Sequence, residues 1–418
     1  MAHATGSLRD LIYAQEWELG VDRWGEGASS IGKGFRNTGD SINLTKNTTQ
    51  SSELTGDRAI RYLRHGNETV SGDVSFEFAP VAFDDFLASA LGGTWGTASA
   101  TGTLTMANQP GAGETITIGS AVFTFALAKT SKYHVVIGGT LGATQANLTE
   151  AVLNYCSVAT LGAWVADVST VTARYAGTWA NAVPTTDTLL GVGDGFTGAV
   201  LADGADGDVV KQGTALFSYS IEKGFTDIDQ YGLYRGCVVN TLTLDVATDG
   251  VVTGTLAFIG SGADAFVAAS NETGTVTAPS YAEPFSSHES EILIDGLDDC
   301  IVTGLSISID NGVVANYSLC GPEAVSAIAD RLNATGTLTM LFESDVHVAK
   351  FISEATATLK FTLSSGGNSY EFYFPKIKYT GGDTPVSGGG VVSISMPFQA
   401  LYDDSEATAV RITRTLGA

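Results

Sequence analysis

Two pairs of echoed segments, set at unequal spacings, constrain this chain more than any other feature. Val251–Phe258 (Val-Val-Thr-Gly-Thr-Leu-Ala-Phe) recurs without a gap as Val391–Phe398 (Val-Val-Ser-Ile-Ser-Met-Pro-Phe). Gly72–Phe78 (Gly-Asp-Val-Ser-Phe-Glu-Phe) recurs as Gly336–Phe342 (Gly-Thr-Leu-Thr-Met-Leu-Phe). Apolar residues alternate with small or polar ones in all four, which is the pattern of a strand with one buried face. Two copies of one fold give one offset, yet the step from Gly72 to Gly336 is far longer than the step from Val251 to Val391. About 124 additional residues must therefore lie between Phe78 and Val251 in the first copy. The expected organisation is a discontinuous first domain (1–96 plus 213–280), an inserted domain (97–212) and a second copy (281–418).

The 418 residues, 44% of them hydrophobic, suffice for two or three cores. Gly 50 against Pro 9, with abundant Thr and Val, favours strands and tight turns over helices. The expected class is mainly β (α+β): two tandem barrel or sandwich domains, each with a short helix, around an inserted small α+β domain. No apolar run approaches the roughly 20 residues of a membrane span. The segment Met1–Asp10 lacks the apolar core of a signal peptide, so a soluble protein made in a cytoplasm is expected. Cys156, Cys237, Cys300 and Cys320 are sparse and unpatterned, and reduced core cysteines are expected rather than a disulfide framework.

The formal charge of −24 excludes a protein that grips nucleic acid by counterion release. Positions 96–212 hold four bases and eight acids, so −20 belongs to the repeated scaffold. Solubility alone is the simplest use of such a field.

Along the chain, Ala14–Gly20 opens as a strand. A polar stretch from Gly25 to Gln50 follows, long enough to reach a neighbouring subunit or to be a mobile loop. The strand Thr69–Phe78 precedes a helix that places Phe83, Phe86, Leu87 and Leu91 on one face, and Gly92-Gly93 ends it. Low-complexity sequence at Gly96–Thr103 and Asp203–Asp208 marks the entry to and exit from the insert. Within it, Glu114–Phe125 reads as a hairpin turning at Gly119-Ser120, and Val135–Gly138 and Val168–Ala173 as strands. Thr144–Tyr155 reads as a helix with Thr144 as its cap. The order strand, short helix, strand, strand, strand then recurs in both copies, joined by a linker near Ala263–Tyr281. The second helix is expected near Val346–Glu354.

No catalytic constellation emerges. His3, His65, His134, His288 and His347 are scattered and read as surface or turn residues. Gly191–Gly195 and Ser30–Gly34 lack the Lys-Ser/Thr of a phosphate loop. Asp203, Asp206 and Asp208 suit a hard cation by spacing but fail the calcium-loop pattern, and a solvated linker is the stronger reading. Asp227 and Asp229 fit a wet strand face or turn. No catalytic, cofactor-binding or metal residue is assigned, no cofactor is expected, and the chain is not expected to be an enzyme.

Other residues resemble the tail tube proteins of long-tailed bacteriophages, in the form with two tube domains per chain. The resemblance rests on Val70–Phe78 with the helix Phe83–Leu91 after it. It rests also on Tyr219–Lys223 leading through Tyr231–Asn240 into Leu242–Leu244, and on Phe374–Ile377 and Phe398–Asp403. The insert resembles a small module of phage virion proteins, through Gly113–Gly119 and Ala143–Asn154. The resemblance implies a virion tail subunit assembled in the host cytoplasm. Three chains would close a pseudo-hexameric ring, and rings would stack into a helical tube whose acidic lumen lets DNA pass during ejection. Partners would be further copies and the tape measure, terminator and distal tail proteins, with no membrane span. A tail terminator, a decoration protein, a secretion-type tube and an extracellular glycan-binding β-protein are the alternatives.

Overall fold

The computed structural model describes residues 3–24, 31–53, 59–298, 301–382 and 391–417. Cys300, Ser30 and the first part of the Gly25–Gln50 stretch therefore lie outside the described residues. The chain is mainly β and separates into two compact units: 1–93 with 209–418, and 94–208.

The larger unit holds two strand sets. The first comprises β1 (Arg9–Gln15), β2 (Gly39–Asp40), β3 (Asn43–Gln50), β4 (Leu63–Glu77), α1 (Asp84–Ala90), β5 (Ser218–Phe225), β6 (Gln230–Ala247) and β7 (Thr253–Gly260). The second comprises β8 (Ser290–Ile294), β9 (Val302–Asp310), β10 (Val314–Tyr317), β11 (Ala324–Ile328) and β12 (Asn333–Leu341). It continues with α2 (Val346–Ile352), β13 (Thr356–Ser365), β14 (Asn368–Tyr379), β15 (Ser393–Ala400) and β16 (Arg411–Thr415).

The two sets pair alike, all antiparallel. In the first, β4 pairs β7, β7 pairs β6, β6 pairs β5 and β5 pairs β1. In the second, β12 pairs β15, β15 pairs β14, β14 pairs β13 and β13 pairs β8. One irregularity also coincides. The β5·β6 ladder slips between Tyr219 and Ile221, opposite Arg235-Gly236, and β13·β14 slips between Ala357 and Leu359, opposite Pro375-Lys376. Gly236 (φ +67°) supplies the left-handed residue of a bulge in one set, and Pro375, which needs no ladder N–H, sits at the matching bulge in the other.

A single sheet joins the sets, because β9 pairs with the C-terminal half of β6. Its buried face carries Val74, Phe76, Leu256, Phe258, Leu242, Leu244, Ile307, Ile309, Leu338 and Met396. Helix α1 packs into this core: Phe86 stacks on Phe35 at 4.5 Å and abuts Tyr13, Tyr219 and Phe258. No barrel closes within the chain, since β2 and β3 pair only with β4 among the described residues.

The smaller unit holds two four-stranded sheets, a two-stranded one and the helix Leu141–Tyr155. One four-stranded sheet runs His134–Val136, Ala121–Ala126, Thr115–Ile118, Thr185–Asp187; the other runs Ala159–Leu161, Val168–Ala173, Thr101–Thr105, Gly195–Phe196. The expected hairpin turns at Gly119 (φ +63°). The helix cap is Thr140, not Thr144: extended Thr140 accepts from the Ala143 N–H. Thr144, fully buried in the first turn, takes the Gly138 N–H at 2.9 Å instead. The low-complexity stretch Gly96–Thr103, expected as the entry to the insert, is largely strand, as is Ala205–Asp206 in the expected linker at its exit, which pairs with Gly96–Ala98.

Other expectations shift for physical reasons. The first strand is Arg9–Gln15, whose Leu11–Ala14 run is buried on both faces and so shows no alternation. Much of the polar stretch before Gln50 is edge strand, exposed on both faces from Lys46 onward.

Candidate assembly site: an open sheet face and an open edge

Strand alternation places small polar residues on the face opposite the core, and the registers align them in rows across six strands. One row runs Ser75, Thr255, Thr243, Ser308, Thr335, Gln399. Beside it runs Glu77, Thr253, Asp245, Ser306, Thr337, Pro397, and on the other flank Asp73, Ala257, Thr241, Asp310, Asn333. The spans 39–45, 69–77, 241–247, 253–260, 302–310, 333–341 and 393–400 contain no Lys, Arg or His. Their acids are Asp40, Asp73, Glu77, Asp245 and Asp310. The face is thus a hydroxyl and amide carpet with sparse negative charge, and most of the scaffold's acid excess lies elsewhere.

The edge of this sheet is Gly39–Thr45. Ser41 donates its N–H inward to Asp73 at 2.8 Å, so Ile42 and Leu44 turn their backbone groups outward. The side chain of Asp40 is buried between Arg9 and Lys223, and Lys223 Nζ donates to the outward carbonyl of Ile42 at 3.0 Å. A charge held inward at an edge discourages promiscuous strand pairing.

The join between the strand sets shows how such an edge is completed. Asn240 bulges from β6, accepts the Asn311 N–H on its carbonyl at 2.8 Å, and accepts the Val313 N–H on its side chain at 2.7 Å. Gly312 (φ +55°) then turns the chain, and the β10·β11 hairpin folds back onto the first set. There Tyr317 donates to the Glu68 carbonyl at 3.0 Å, and Arg235 holds Glu323 at 2.9 Å. Deeper in the join, Tyr370 donates to Asp84 at 2.6 Å and Arg414 pairs with the same carboxylate. Burial outweighs both partners and raises the Asp84 carboxyl above the usual range. Phe78, fully buried, packs on Phe285, Tyr370 and Phe372.

The candidates for chemistry do not converge. Asp206 accepts from the Thr178 N–H and hydroxyl, a local cap. Among the described residues no group of three or more His, Cys, Asp and Glu side chains is placed to hold a metal ion. Asp227 accepts the Thr5 N–H at 2.6 Å. His347 is buried beside the Tyr379 hydroxyl rather than on the surface, and Cys320 is exposed rather than in the core, whereas Cys156 and Cys237 are buried. Sequence reasoning missed Asn240, Asp84, Tyr370 and Arg414. Their pairings join residues far apart in the chain and leave no local pattern.

A broad polar sheet face, one sheet continued through two strand sets and an edge left for pairing define a structural assembly protein. The family model for phage tail tube protein matches residues 17–400, nearly the whole chain, and the chain belongs to that family. It is a structural component of a phage tail. No curated protein matches the chain.

Proposed function

We propose that this chain is the major tail tube subunit, and that its two strand sets are two tube domains. Three chains close a pseudo-sixfold ring, rings stack into a tube, and the hydroxyl-rich face lines the channel through which DNA leaves the virion. The observation that carries this reading is the unbroken sheet from β4 to β15, whose open face bears acids and no base. Phosphates are repelled by such a wall, and no cation holds them by counterion release. A sheet that closes through its neighbours removes its own edges. The heterologous contact between rings does not close, and so extends a filament.

The unit 94–208 decorates the tube in this reading, assembly takes place in the host cytoplasm, and the tape measure, terminator and distal tail proteins are the tail partners. Electron microscopy of the purified, concentrated protein and of virions is the test. Stacked rings of three chains, with Asp73, Asp245 and Asp310 on the inner wall, are expected. A compact monomer with no ring in the tail, or an inner wall lined by lysine and arginine, overturns the reading.

A further inference from the structure

The join inside the chain has two faces, and each face has an uncovered counterpart elsewhere in the same unit. At the join, Thr241 lies opposite Asp310 and Leu242 opposite Ile309. The Asn311-to-Asn240 hydrogen bond fixes the alternation: Leu242 and Ile309 exchange backbone bonds, and Thr241 and Asp310 form a non-hydrogen-bonded pair.

The leading counterpart is the open edge. Asn43 pairs Ser71 in β3·β4 as Ser308 pairs Thr335 in β9·β12, so Gly39–Thr45 occupies the station of Gly304–Asp310. In the second set β9 meets β6; in the first, the outer side of Gly39–Thr45 meets no described strand.

The trailing counterpart follows β14. The step that carries Val251 to Val391, and with it β7 to β15, carries Thr241 and Leu242 to Gly381 and Gly382. Close by, Phe342 is 42% exposed, although Phe78, its match in the first copy, is 1% exposed under Tyr370 and Phe372. Helix α2 likewise leaves Val346 and Ile352 exposed. An apolar face that is covered at one station and bare at the equivalent one matches the missing neighbour.

We infer that the neighbour is a second copy of this chain, joined by a repeat of the internal seam. Gly39–Thr45 of one protomer pairs antiparallel with Thr380–Gly382 of the next, Thr45 opposite Gly381 and Leu44 opposite Gly382, and that copy's Phe342 is covered by the protomer that supplies Leu44. The outward N–H of Leu44 takes the place of the Ile309 N–H. This assignment rests on the ring reading above and adds to it which strand ends meet and in what register.

Cysteine pairs test the register directly, since a non-hydrogen-bonded antiparallel pair holds its Cα atoms near 4.5 Å, within disulfide range. In the full chain with Cys300→Ser and Cys320→Ser, Thr241→Cys with Asp310→Cys should oxidise within one chain and stay at 43.2 kDa. Thr45→Cys with Gly381→Cys, oxidised after assembly, should give bands of two and three chains and none larger. Leu44→Pro, which removes the outward N–H and leaves the β4 ladder intact, should keep the circular dichroism and melting temperature of the parent and lower tube yield at least tenfold. Parent rings that assemble while Thr45→Cys with Gly381→Cys stays monomeric overturn the register, as do Leu44→Pro tubes at full yield. Bands beyond three chains overturn the closed ring and keep the strand pairing. A parent that forms no ring counts against the tube reading itself.

Discussion

The two strand sets of the larger unit share an order of pairing and even the site of a bulge, yet they differ wherever a neighbour is or is not present in the chain. The first set's Phe78 is buried against Tyr370 and Phe372 of the second, and most of α1 is buried in the first set's own core. The second leaves Phe342 exposed, and only His347 of α2 is buried. The second set's leading strand, β9, is paired on both sides; the first set's, Gly39–Thr45, on one. Their connecting arms are of nearly equal length, between Thr45 and Thr69 and between Asp310 and Asn333. One is bent at Asn311-Gly312 and latched by Asn240, whereas the other continues as an exposed ladder, with a register shift between Lys46 and Thr48, to end near Ile60 and Tyr62. The difference separates a strand that the chain pairs on both sides from an edge that, among the described residues, it leaves open.

Proline at equivalent positions should break this comparison most sharply. Ile309→Pro removes a ladder bond at a seam closed on both sides and should destabilise the monomer by about 3 kcal/mol or more. Leu44→Pro, at an open edge, should change monomer stability little. Urea denaturation of both variants checks this, and equal losses would mean that Leu44 is already paired within the protomer. Next in size is Tyr370→Phe, which leaves the buried Asp84 carboxylate with one partner fewer and should cost about 1–3 kcal/mol. Its counterpart by the shorter offset is Gln230, half-buried, and Gln230→Ala should be nearly silent in the monomer. Smaller again is Arg235→Ala. It frees the arm by removing bonds to Glu323, Asp264 and the Gly20 carbonyl, at about 1 kcal/mol for a partly exposed network. Hydrogen exchange should then accelerate in β10 and β11 and not in β12.

Legibility in the sequence followed the same division. Strands with one face in the core, such as β12, β15 and Val168–Ala173 in the smaller unit, announce themselves by alternation. Asn43–Gln50 is exposed on both faces, so it carries no apolar stripe and reads as a polar loop. Arg9–Gln15 fails for a different cause: its Leu11–Ala14 run is covered on both faces and shows no alternation, and the strand expected to open at Ala14 lies earlier. The polar sheet face was visible as alternating Thr and Ser. Its registers, and the carpet they build, depend on pairings between residues far apart in the chain and left no local signal. The longer offset was readable, but what it contrasts, a covered Phe78 and a bare Phe342, required the burial of each.

The smallest effect concerns the matching bulges. In the first set the bulge encloses a carboxyl: Glu16, 5% exposed, accepts from the N–H groups of Gly20 and Gly236 and from the Ser220 hydroxyl. Burial outweighs these donors and raises its pKa, and burial, with a further push from Glu16, also raises the adjacent Cys237 thiol. The second set carries Lys376 and Ile377 in place of Gly236 and Cys237, and the acid at its bulge, Asp295, accepts the Thr358 N–H at 2.8 Å and pairs with Lys350, contacts that hold its carboxyl below the ordinary value. A carboxyl raised in the folded state contributes stability that is complete below the unfolded glutamate value of about 4.3 and is lost as pH rises through the folded value. The parent should therefore lose stability relative to Glu16→Gln as pH climbs from about 4 towards neutrality, with no matching trend for Lys376→Met in the second set. Melting temperatures of the three proteins across that range decide it. A gap between the parent and Glu16→Gln that stays constant with pH would mean that the three donors, not burial, set the carboxyl's state, and that the two bulges differ in composition without differing in their response to protons.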